Sequence, residues 1–256
     1  MGRVNWRGLW TLYMKEVRRF LNVFTQTLLA PMVTTLLFLA VFTLALGGGG
    51  REVGGVPFAT FLAPGLIMMA MVQNAFANTS SSLVIAKIQG NIVDVLMPPL
   101  SPAELALGFA GGGVTRGLMV GCSVGIGMCF FVPVTLHNPL FILYHGVMAS
   151  LMLALLGMIG GIWAEKFDHI AAVTNFVITP FSFLSGTFYS IEMLPEIWQT
   201  ISLFNPVVYL ISGFRWAFYG VSDVHVGISV GMTMVFLTMC MTAVWWIFKT
   251  GYRLRS

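Results

Sequence analysis

Residues 183–215 read FLSGTFYSIEMLPEIWQTISLFNPVVYLISGFR. An apolar run meets Glu192, Pro195 and Glu196, turns apolar again through Asn205-Pro206, and stops at Arg215. Two membrane spans, a soluble loop and an intermediate arrangement are the alternatives, and the choice sets the topology of the whole chain. The rest of the sequence decides it.

Of 256 residues, 57% are hydrophobic and 9% are charged, and the mean hydropathy is +0.89. Soluble domains carry about 25% charged residues. This chain cannot cover a water-facing surface, so it is an integral membrane protein. Residues 1–22 carry no small-residue cleavage site, and no removable leader is expected. Cys122, Cys129 and Cys240 lie in apolar stretches without metal-ligand spacing and are expected as buried free thiols. The formal charge of +4 is concentrated at the two ends, as in a cytoplasmic membrane anchor, and does not point to nucleic acid.

A span needs about 20 mainly apolar residues. Charge-free runs predict spans near residues 28–46, 58–82, 106–131, 140–163, 169–191 and 226–248; "VPVTLHNP" (132–139) separates the third from the fourth. Arg3, Arg7, Lys15, Arg18 and Arg19 precede the first span, and Lys249, Arg253 and Arg255 follow the last. Both ends are therefore expected in the cytoplasm, which requires an even number of crossings. Lys87 and Lys166 fall in loops expected inside. Residues 192–225 then lie outside, and 197–214 cannot be a complete crossing. The opening stretch reads as two short helices that dip into the outer leaflet and return, a re-entrant segment over residues 188–215 with Trp198 as headgroup anchor.

The predicted fold is all-α integral membrane. An N-terminal amphipathic interfacial helix (residues 1–22) precedes a single six-span domain (23–256), with the re-entrant segment between spans five and six. Trp6, Leu9, Trp10, Tyr13, Val17, Phe20 and Leu21 share one face of the first helix; Lys15, Glu16, Arg18 and Arg19 form its charged end. That pattern fits a helix lying against lipid headgroups.

Several polar and small residues carry two readings each. Gly113, Gly117, Gly121 and Gly125 form a ladder that serves close packing within the chain or a dimer seam, and Gly157 and Gly161 repeat it. Asn74 and Asn78 share a helical face with Gln73 beside them; they bond between helices or line a polar path, with Gln26 a weaker candidate of the same kind. Arg116 snorkels or pairs with an acid such as Glu104 or Glu165. Between spans two and three (86–104), an apolar helical fragment stops at Pro98-Pro99, and Ser101 restarts a helix with Glu104 at the capping-box position. Five apolar residues in so short a connector suggest docking to another protein. The four histidines show no metal-ligand spacing, and residues 47–50 are followed by Arg51-Glu52, so no phosphate-binding loop is present. Neither a catalytic constellation nor a bound cofactor is expected.

In that order, the elements resemble the membrane subunit of bacterial ABC-2 type exporters. Lys87, Gly90, Asp94, Leu96, Pro98 and Ser101 match the family's inner-loop pattern; the doubled Pro98-Pro99 departs from it. Gly186, Phe188, Tyr189, Leu194, Pro195, Trp198, Asn205, Pro206 and Arg215 match its outer pattern. The resemblance implies a homodimer in the bacterial inner membrane paired with two copies of a separate ABC ATPase, which holds ATP and Mg. It implies that the inner loop couples to that ATPase, that spans one, two and five form the pathway, and that residues 188–215 gate its exit. An amphipathic drug-like molecule or a lipid is the expected cargo, with Gln26, Gln73, Asn74 and Asn78 as path-lining candidates. The alternatives are a polysaccharide or glycolipid exporter of the same family and an ATP-independent channel or secondary transporter. The second would place acids deep in its spans, and none is found there.

Overall fold

The structure is a computed structural model that describes residues 4–46 and 51–253; the expectations at Arg3, at residues 47–50 and at Arg255 lie outside them. Helix α1 (Trp6–Leu21) is followed by a π-helical turn (Thr25–Leu29) that runs into α2 (Ala30–Leu46). A short hairpin of β1 (Glu52–Val53) and β2 (Val56–Pro57) leads to α3 (Phe58–Ile88). After α4 (Ile92–Leu96) come α5 (Pro102–Met128) and α6 (Pro139–Trp163). The chain then forms α7 (Phe167–Val173), a second π turn (Thr174–Ile178) and α8 (Thr179–Phe183). Helices α9 (Glu196–Leu203), α10 (Pro206–Tyr219) and α11 (Val226–Thr250) complete it.

Three Xaa-Pro pairs set helix starts. Ser101-Pro102 opens α5 with a complete capping box: the Ser101 hydroxyl accepts from the Glu104 amide, and the Glu104 carboxylate accepts from the Ser101 amide at 2.6 Å. Asn138-Pro139 and Asn205-Pro206 open α6 and α10 with the simpler cap, each Asn side chain accepting one backbone amide. The side chain accepts an orphan amide proton, and proline at the first position has none to leave unpaired. The prolines of "VPVTLHNP" thus build a helix start as well as a break. The His137 and Asn138 amides donate to the Phe218 and Ala217 carbonyls, which satisfies the last turn of α10.

Among the described residues, five helices are long and apolar enough to cross a membrane, and the pair α9–α10, bent by 92°, makes a sixth if taken as one. The helix expected over 169–191 stops at Phe183. Beyond it the chain turns at Gly186, whose φ of +77° favours glycine. Helix α3 is the axis: 83% of its apolar window is buried, against 11% for the windows of α2 and α11. The glycine ladder is occupied from within the chain. A methyl on Gly113 would sit 2.6 Å from the Ala154 Cβ, and one on Gly121 would sit 2.5 Å from the Met71 Sδ. Gly157 and Gly161 face the Phe76 and Ser80 carbonyls of α3 at 2.5 and 2.8 Å on the same construction. Gly157→Ala should therefore cost about 1–3 kcal/mol, because backbone must move. Gly125→Ala, with nothing nearer than 3.8 Å, should be near neutral. Denaturant titration in mixed micelles separates them, and equal losses would remove the packing role. The expectation of buried thiols fails at Cys122 and Cys129, which are exposed on the outer side of α5.

Candidate functional site

The end of the bundle that carries α1 is built around a buried carboxylate. Leu12, Glu16 and Phe20 follow one another at four-residue spacing on α1, and all three are buried. They seat on α5 because Gly108 and Gly112 have no side chains there to meet Leu12 and Glu16. Ser82 donates to Glu16 at 2.7 Å, and Arg19 pairs with Glu16 at 3.2 Å. Arg19 also donates to the side-chain and main-chain oxygens of Asn78 and to the Ser81 hydroxyl. Asn78 is fully buried and taken up by this joint. Lys15 and Arg18 point away from it, and Trp6 and Trp10 remain 71% and 60% exposed. The sequence wheel merged two sectors here: one packs on the protein, and the other leaves tryptophans at the surface.

The loop over 86–104 is braced at both ends. Lys87 donates to the Ile162 and Ala164 carbonyls at 2.7 and 2.8 Å, so an ammonium closes the C-terminus of α6. Gly90 takes φ +73° where α3 ends. At the other end, Glu104 accepts from the Asn5 amide as well as from Ser101, tying the start of α5 to α1. Within α4, Ile92 is buried, while Val95 and Leu96 pack against the inner apolar cluster. Val93, Asp94, Met97, Pro98 and Pro99 are exposed.

Gln26, Gln73 and Asn74 come together. They line a cleft of about 270 Å3 between α2 and α3, with Thr34, Thr35 and Phe38. Gln26 lies in the first π turn, a distortion often found at functional positions. Arg116 donates to the Asn74 side-chain oxygen at 2.9 Å and makes no ion pair with Glu104 or Glu165.

Of the motif residues beside the α9–α10 pair, Gly186 meets Arg215, which is 1% exposed. Its guanidinium pairs with Asp223 at 2.6 Å, donates to the Gly186 carbonyl at 2.7 Å and lies 3.8 Å over the Phe61 ring. Ser190 donates to the other Asp223 oxygen. Helix α10, the loop after it, the turn after α8 and the start of α3 are thus held at one point. Asn205 donates to the Phe181 carbonyl at 2.6 Å, fixing the α9–α10 bend to the end of α8. Pro195 precedes α9, and the Leu194 carbonyl accepts from Gln199 at 2.8 Å. Tyr189 packs on the main core, and its hydroxyl has no partner among the described residues. Pro206 borders a separate apolar cavity of about 400 Å3 between α6, α8 and α11. Sequence reasoning missed Asp223, Ser190 and Phe61. A signal existed for one of them, since Asp223 is the sole acid after Glu196 and Arg215 the sole Lys or Arg between Lys166 and Lys249.

The family described as ABC-2 type transporter matches residues 7–219. The inner membrane transport permease YadH of Escherichia coli (strain K12) is 38% identical over 256 residues, 100% of each chain. Nodulation protein J of Rhizobium leguminosarum bv. trifolii is 26% identical over 244 residues, 93% of this chain and 90% of the relative. Nodulation protein J of Rhizobium meliloti (strain 1021) is 25% identical over 232 residues, 89% and 86% of the two chains.

Proposed function

The chain belongs to the ABC-2 type transporter family, and from that premise we propose that it is the multi-pass inner-membrane permease of an ATP-driven exporter. Two copies work with two copies of a separate ATPase, which binds ATP and Mg. Both termini face the cytoplasm, six spans cross, and α9–α10 is a re-entrant lid over the exit. The observation that carries this reading is the braced helix α4. Its Val93, Asp94, Met97 and Pro98-Pro99 stand exposed, while Lys87 ties its near end to α6 and Glu104 ties its far end to α1. A push on α4 is delivered to both helices without a flexible linker. An apolar knob with one acid suits a groove on a partner protein. The cargo is an amphipathic drug-like molecule or a lipid. A glycan path would favour aromatic rings, and the cleft offers amides, threonines and one ring, Phe38.

Co-purification with the ATPase encoded beside this chain tests the coupling. Val93→Glu with Met97→Glu, and separately Asp94→Lys, should each lower recovery of the ATPase and its stimulation at least tenfold. Neither change touches the packed Leu96. Unchanged association and ATP hydrolysis would sink the assignment of α4.

A further inference from the structure

We infer that the apolar cavity between α6, α8 and α11 holds one acyl chain of a bilayer phospholipid, drawn from the leaflet at α1's end of the bundle. The lining sets the chemistry of the occupant. No charged residue borders the cavity, and the hydroxyl of Ser182 is spent on the Ile178 carbonyl at 2.8 Å. A buried water needs about two to four polar partners, so the space of about 400 Å3 is not a water site. Left empty, it would cost its walls their dispersion contacts. Val177 and Phe181 line it and are still 41% and 44% exposed, so it opens sideways onto lipid.

Length selects a whole chain. On α6 the lining residues Met152, Leu156, Ile159 and Trp163 form one helical stripe. From Met152 to Trp163 that stripe is about 16 Å long. The hydrocarbon of one leaflet is about 15 Å deep, half of the bilayer core. No side chain from a second copy reaches that far. Trp163 is half exposed, and Trp245, Trp246 and Tyr252 are exposed at the same end, a belt that marks headgroup level. Arg253 donates to the Trp163 carbonyl at 3.1 Å, and the loop from α6 to α7 carries Glu165, Lys166 and Asp168, all exposed. Two bases and two acids suit a zwitterionic headgroup. At the other end, Asn138 meets Ala217 and His145 meets Gly213. Helix α10 therefore runs back along α6 and brings Pro206 and Val207, which also line the cavity, to the Met152 end. Asn205 ties that bend to the Phe181 carbonyl. A chain in the cavity thus buttresses the tip of the α9–α10 bend.

The test uses the full-length chain without any ATPase, purified in dodecyl maltoside and photolysed with a phosphatidylcholine bearing a diazirine midway along one acyl chain. Insertion should fall on Ile159, Val177 and Cys240 at least tenfold above Leu37 and Ile126, which are exposed on α2 and α5. Unlabelled phosphatidylcholine should abolish it saturably. Val177→Phe, at the open side, should cut it about threefold. Gly160→Leu with Cys240→Phe fills the cavity, since a methyl on Gly160 would meet nothing nearer than the Phe76 ring at 3.5 Å; the label should fall at least tenfold. Phosphatidylcholine added to the delipidated chain should raise its melting temperature by about 4 °C. The filled variant should melt as high without lipid and should not shift, which controls for folding. Labelling spread evenly over Leu37 and Ile126, labelling that does not saturate, or a folded filled variant that keeps both label and shift would overturn the site. So would displacement of the probe by lauric acid at lower concentration than by phosphatidylcholine. If the filled variant does not fold, saturation and Val177→Phe decide. None of these outcomes bears on α4, whose test needs the ATPase.

Discussion

Arg215→Met should destabilise the fold by about 3–5 kcal/mol, the usual cost of removing one partner of a buried ion pair. Asp223→Leu should cost a similar amount. The reason is what each leaves behind. Without Arg215, the Asp223 carboxylate keeps only Ser190 in a pocket that hides it from water; without Asp223, the guanidinium retains the Gly186 carbonyl and the Phe61 face. Neither remnant balances a buried charge. The double variant should cost clearly less than the sum of the singles, because exchanging both partners for apolar groups removes the uncompensated charge. Unfolding free energies from denaturant titration in mixed micelles give the cycle. Strict additivity would mean that the pair is a bystander and that Gly186 and Phe61 alone hold the outer turn. The clasp also has a place in transport. If α9–α10 is a lid, Arg215 is its hinge pin, and both single variants should leak substrate without ATP.

Much of this was legible because hydrocarbon imposes simple rules. Runs without charge gave five of the helices, four to within four residues at each end and α3 six residues short at its far end, and Ser101 with Glu104 announced the start of α5 through chemistry that acts over three residues. Harder to read was whatever depends on which helices meet. The helix wheel placed Trp6, Leu9 and Trp10 with Val17 and Phe20, yet Glu16, a residue a wheel puts toward water, is fully buried. Its burial follows from Gly108 and Gly112 on a helix some hundred residues later, and periodicity within α1 carries no trace of that. Asn78 shows the same limit. Its burial brings it a partner from outside the spans, Arg19, which spacing within α3 does not reveal. The early end of α8 at Phe183 is likewise tertiary. Gly65 of α3 leaves room for the Thr187 backbone to cross it closely, and a helix continued to Ile191 could not make that crossing.

Glu16→Ala is the other change with a large expected effect, about 2–3 kcal/mol, and its consequence should be local. Charged hydrogen bonds contribute about 1.5–3 kcal/mol each, and Glu16 receives one from Ser82 and one from Arg19. Arg19 is 26% exposed, so part of its lost pairing is recovered from water, which keeps the figure below that for Arg215. With the carboxylate gone, Arg19 still reaches the Asn78 oxygens and Ser81 on α3 but without its counter-charge, and α1 loses the buried acid seated against Gly112 of α5. Trypsin should then cut after Arg18 and Arg19 at least ten times faster than in the unaltered chain. Lys15→Ala, one residue away but exposed, should leave cleavage there unchanged. Equal protection of the Glu16→Ala and unaltered chains would show that shape alone docks the helix. Faster cleavage with loss of ATPase stimulation would place α1 in the same mechanical unit as α4, because Glu104 joins the two through the Asn5 amide. Glu16→Gln separates the two contributions further: an amide oxygen can still accept from Ser82, but it cannot balance Arg19. An intermediate cleavage rate for that variant would assign the remainder to charge.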